Sequence, residues 1–207
     1  MAVAALAGIG AGAATVLGDR GSQAAASGSD VAQQQPASQG SPAQSGPPPG
    51  SSPGTGTEQA QLAQVTPQIR RSASARAAVV RAAQRVGACT MKPSEGIGLM
   101  NQAISERRAV IGRLGTLSVT AVPNGQRLLA DFKQVLQQSI RADQGFTGWM
   151  RDIQNSGTCP LNTAADASYQ AGLRASRQAN SAKLSFLGLW NPLASRFGQP
   201  RYTASQI

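Results

Sequence analysis

Between Leu128 and Ile153 the chain places Leu128, Phe132, Val135, Ser139, Ala142, Phe146, Trp149 and Ile153 at alternating steps of four and three, and all but Ser139 are apolar. That spacing stacks side chains on one face of an α-helix. Leu129, Leu136 and Ile140 widen the stripe, while Arg127, Asp131, Lys133, Gln137, Arg141, Gln144 and Arg151 fill the remaining surface. Such a helix lies against a core on one side only. At 1.5 Å per residue it is on the order of 40 Å long and needs partners of similar length.

Three further helices are readable. Thr66-Pro67 reads as an N-cap followed by Pro at the first helical position, in a folded part that opens near Glu58. From there to Val86 the first helix carries Ile69, Ala73, Ala77, Val80 and Ala83 or Gln84 on one side, and Gly87-Ala88 ends it. The second starts near Ser94, with Glu95 in its first turn, and carries Ile97, Met100, Ile104, Ile111 and Leu114, broken by Arg107 or Arg108. Leu117 to Val122 reads as its end, before a tight turn at Pro123-Asn124-Gly125. The long central helix stops at Asn155-Ser156-Gly157. A fourth, capped by Asn162 or Thr163, runs through Tyr169, Leu173, Ser176, Asn180, Leu184 and Leu187 until Asn191-Pro192 closes it. Aromatic residues are only 4% of the chain, so the core is Ala/Leu/Val/Ile helix packing, which argues against a β-sandwich.

The expected fold is therefore all-α: an antiparallel up-down-up-down four-helix bundle over residues 58–191, followed by a C-terminal turn and tail over 192–207. Residues 1–18 are uncharged after Met1, built of Ala, Gly, Val, Leu, Ile and Thr, and read as a signal or transmembrane segment whose basic flank is missing. Residues 19–57 are rich in Pro, Gly, Ser and Gln, and too poor in large apolar residues to offset the entropy of ordering them. They read as a disordered linker. A coil of about forty residues reaches roughly 35 Å.

Cys89 and Cys159 fall in the first and third connections, which share one end of an alternating bundle. A disulfide between them would close a loop of about seventy residues and stabilise by roughly 4 kcal/mol on the chain-entropy model. It would also imply an oxidising compartment. A metal site is not indicated, because two cysteines and no histidine do not make four ligands.

The absence of histidine also removes the commonest general base. Glu58, Glu95, Glu106, Asp131, Asp143, Asp152 and Asp166 are scattered on polar helix faces, and Asp131 and Asp143 read as solvated surface residues rather than a catalytic pair. No nucleophile elbow, phosphate loop or dinucleotide fingerprint is present. No catalytic residue, cofactor or metal is assigned.

The chain carries a formal charge of +10, with sixteen of its nineteen basic residues Arg, a bias that partly follows from a GC-rich coding sequence. Arg70, Arg71, Arg81 and Arg85 on the first helix, with Arg107, Arg108 and Arg113 on the second, are candidate anion-binding residues. Trp190 and Phe197, beside Pro192, are a candidate protein contact. These features lead to an expected non-enzymatic interaction or scaffold domain of a bacterial cell envelope, secreted or membrane-anchored through its N-terminal segment. Its partner would be an envelope protein. The alternative is a basic protein that binds acidic lipid or a wall phosphate polymer; nucleic acid is disfavoured, since no recognition module is visible.

Overall fold

Residues 53–207, the part of the chain that the computed structural model describes, fold into four packed helices: α1 (Pro53–Gly87), α2 (Pro93–Leu114), α3 (Gly125–Ser156) and α4 (Ala167–Arg196). No strand occurs among the described residues. The hydrophobic start and most of the linker lie outside them.

The stripe that defines α3 is its buried face: Leu128, Phe132, Val135, Ser139, Ala142, Phe146, Trp149 and Ile153 are all buried. Gly157 caps the helix in the left-handed region, at φ 65°, and its N–H donates to the Ile153 carbonyl. α3 packs on α4 along its length and on α2, while α1 packs chiefly on α2. The α3–α4 approach is closest at Gly145 and Gly172, where a Cβ on Gly145 would stand 2.5 Å from the Gly172 Cα. Two aromatic groups sit along this pair. Phe132 stacks on Phe186 at 4.7 Å and Phe186 on Trp190 at 6.1 Å; farther along α3, Phe146 and Trp149 meet Tyr169 edge-on.

Contacts fix which ends lie together. Gln61, near the start of α1, accepts from the Ala121 N–H in the α2–α3 connection, and Glu58 pairs with Arg196 at the end of α4. At the other pole, Cys89 in the α1–α2 connection and Cys159 in the α3–α4 connection are at disulfide distance, with Cα atoms 6.0 Å apart. That separation is the usual one for a bridge.

Several boundaries differ from the sequence expectation. α1 does not start at Thr66-Pro67 but at Pro53, taking in residues 53–57 of the expected linker, with Pro67 inside it. Pro67 removes one backbone donor, yet Leu62, Val65 and Ile69 are all fully buried, so the inner face runs through it. Thr66 is not a cap; its hydroxyl donates to the Gln199 side chain at 2.7 Å. α2 begins at Pro93 and stops at Leu114, so Leu117 to Val122 is turn rather than helix. α4 is capped by Asp166, whose carboxylate accepts from the Tyr169 N–H at 2.6 Å, while Asn162 makes a local turn onto Ala164. Finally, α4 continues through Pro192 to Arg196.

The tail is an element in its own right. After Gly198, at φ 64°, the chain reverses and lays residues 199–207 between α1 and α4 as a strap, which ends in a turn where the Gln206 N–H donates to the Thr203 carbonyl. α4 holds alternate residues. Trp190 Nε1 donates to the Pro200 carbonyl, Asn191 both donates to and accepts from the Tyr202 backbone, and Lys183 Nζ donates to the Ala204 carbonyl. From the α1 side, Arg76 Nε donates to the Ser205 carbonyl at 3.0 Å. A step of two residues is the period of an extended chain. The strap ends with Ile207 buried in the core cluster beside residues of all four helices.

Candidate functional site

The main apolar cluster includes Leu62 to Ile69 of α1, Val110 and Leu114 of α2, Leu128 to Leu136 of α3 and Ala182 to Ala194 of α4. Next to it lies an ionic layer with one member from each helix: Arg76, Arg107, Asp143 and Lys183. Arg107, Asp143 and Lys183 are 3%, 2% and 4% exposed, far below what charged side chains ordinarily show. Helix spacing puts three of the members on inner faces. Asp143 continues the heptad row Leu129, Leu136, Met150; Arg107 lies seven residues from both Met100 and Leu114; Lys183 lies four residues after Ala179 and seven before Trp190.

Arg107 and Asp143 form a direct ion pair. Burial drives the Asp143 carboxyl up to about 7, against the opposing pull of Arg107, Lys183 and Arg76. Burial likewise drives the Lys183 ammonium down to about 7, with Arg76 and Arg107 pushing the same way. The guanidinium values of Arg107 and Arg76 are also lowered, first by burial. Three basic groups share one carboxylate, leaving a formal surplus of two positive charges, and Arg107 Nε is buried without a partner. The only neutral acceptors given to Lys183 and Arg76 are the strap carbonyls of Ala204 and Ser205.

No protein-family model matches the chain, and no curated protein or solved structure matches it. The site is therefore read from its own chemistry. Among the described residues no three His, Cys, Asp or Glu side chains gather to hold a metal. A lone carboxylate pinned by Arg107, with no nucleophile bonded to it, does not make an acid–base pair of the usual geometry.

The residues singled out from sequence separate into three groups. Arg70, Arg71, Arg81, Arg85, Arg108 and Arg113 are exposed, on α1 and α2. Arg107 does not belong with them, because it points inward to Asp143, and Asp143 in turn is not a surface residue. Trp190 and Phe197 are not an open contact surface: they are 0% and 7% exposed, both within the core cluster, with the strap's Pro200 and Tyr202 against Trp190. Asp143, Lys183 and Arg76 were missed. A charged residue in an otherwise apolar heptad row was the available signal in α2 and α3.

Among the described residues, no helix is long and apolar enough to cross a membrane.

Proposed function

We propose that this chain is a non-enzymatic interaction domain of a bacterial cell envelope, exported or tethered by its N-terminal segment. The observation that carries the reading is the pair Cys89 and Cys159, at disulfide distance in the two connections of one pole. Such a pair points to an oxidising, extracytoplasmic compartment. The bundle offers a packed scaffold in which α3 and α4 approach closely at Gly145 and Gly172. Labelling intact cells with a membrane-impermeant protein reagent, followed by non-reducing mass spectrometry, tests the address. The expected result is labelled protein with a Cys89–Cys159 crosslink; unlabelled protein with two thiols overturns it.

A second reading follows from the six exposed arginines on α1 and α2: the same face takes an anionic polymer or acidic lipid. Retention on anionic vesicles that falls steeply with salt, and falls again when Arg81 and Arg85 become Gln, supports it. Salt-insensitive capture of a single envelope protein favours the first reading.

A further inference from the structure

The groove between α1 and α4 holds the chain's own strap, which runs without regular structure over residues 199–203 and turns at residues 204–206. Its bonds are made largely to main chain: Trp190 to the Pro200 carbonyl at 2.9 Å, Asn191 to both backbone groups of Tyr202, Lys183 to the Ala204 carbonyl, and Arg76 to the Ser205 carbonyl. Recognition of alternate backbone groups accepts any extended segment, and side-chain pockets supply the selectivity. The strap fits those pockets at Tyr202, which packs against Trp190, and at Ile207, which reaches the core.

At one place the strap fits poorly. Lys183 and Arg76 both aim at Ala204–Ser205, where the strap supplies only neutral carbonyls. The Ala204 side chain packs against the apolar cluster, and the exposed Ser205 hydroxyl is engaged with Thr203. Asp143 is the layer's only carboxylate and is bonded to Arg107, so neither Lys183 nor Arg76 has a carboxylate within bonding distance among the described residues. A carboxylate there would replace neutral carbonyl acceptors by an anionic one and turn two cation-to-carbonyl hydrogen bonds into ion pairs.

We propose that the α1–α4 groove docks an acidic peptide of a partner protein, whose carboxylate takes the place of Ser205 beside Arg76 and Lys183, displacing the strap at the Gly198 reversal. Gly198 is suited to that reversal, since its backbone is left-handed and nothing crowds it within 4 Å. The proposal depends on the chain being a binding module and not on its cellular address, so the outcome of the export experiment leaves it standing.

The test uses the full 207-residue chain with its disulfide intact and three fluorescent nonapeptides. One has the sequence of residues 199–207, one carries the Ser205→Glu change, and one is the acidic peptide scrambled. The acidic peptide is expected to bind at least tenfold tighter than the other two and to change Trp190 fluorescence as the strap leaves. Arg76→Gln, on a partly exposed side chain, should weaken it about tenfold without unfolding the bundle. In a second measurement, Ser205→Glu within the chain's own strap, at a side chain exposed in this structure, should raise Tm and make the acidic peptide a poorer competitor. Equal binding of the scrambled acidic peptide means attraction to a basic protein and nothing more, and overturns the proposal. So does binding that Arg76→Gln leaves unchanged, or a Ser205→Glu chain that melts no higher.

Discussion

Asp143 and Arg107 lie in a layer where water cannot share the work of solvating charge. Removing one partner of a buried pair leaves the other uncompensated and costs about 3–5 kcal/mol, whereas replacing both with apolar groups is often neutral. Arg107→Met should therefore destabilise by about that amount in urea unfolding, and Arg107→Met with Asp143→Leu should recover most of it. Equal losses in the single and double variants would mean the pair is not the unit. Lys183 adds a dependence on pH. Its folded value is about 7 against an ordinary 10.5, so between those values the unfolded chain binds more protons and stability rises with pH. Asp143 has the opposite slope: raised from 3.8 to about 7, it holds a proton in the fold that the unfolded chain has lost, so stability falls as pH rises toward 7. The Tm of the native protein, less that of Lys183→Met, should grow from pH 7 to pH 9. A constant difference would rule out the titration of Lys183 as its source.

Helices meet through glycine where backbone must touch backbone, and α3 and α4 do so at Gly145 and Gly172. A Cβ on Gly145 meets main chain, which cannot swing aside, so Gly145→Ala should lower stability by at least about 2 kcal/mol and separate the two helices. Gly188, also on α4, has nothing within 4 Å, and there Gly188→Ala should add about 0.5–1 kcal/mol through helix propensity. Thermal melts of the two variants moving in the same direction would contradict this packing. The same contrast explains what could be read beforehand. α3 was legible from Leu128 to Gly157 because its apolar period and its left-handed cap agree. Boundaries failed where a local signal met a tertiary one: Pro67 and Pro192 look like breaks, but the buried residues on either side, Val65 and Ile69, Trp190 and Ala194, carry each helix through. The tail was legible as a segment but its path was not, since most of its bonds to α1 and α4 run through main-chain groups. The two cysteines were legible because two connections at one pole leave few other ways to use them.

In the molecule as a whole, α1 is the element with the least direct helix packing beyond α2, and it is held at both poles by devices that are not helices. At one pole Glu58 reaches Arg196, and along the middle of α1 the strap binds Thr66 and Arg76. At the other, Val86 sits against Gly96 and Met150, beside the Cys89–Cys159 connection that ties the α1–α2 turn to the α3–α4 turn. Local opening is governed by the nearest restraint, so the two devices should fail separately. Replacing both cysteines with Ser should cost about 4 kcal/mol globally on the chain-entropy model, and hydrogen exchange should quicken first over residues 79–87. Deleting residues 200–207 should instead quicken exchange over residues 62–76 and leave the cysteine pole protected, while Trp190 becomes accessible to quenchers. If either change loosens α1 evenly from end to end, the helix opens as one body, and the strap is not the separate restraint that its hydrogen bonds to Arg76 and Lys183 imply.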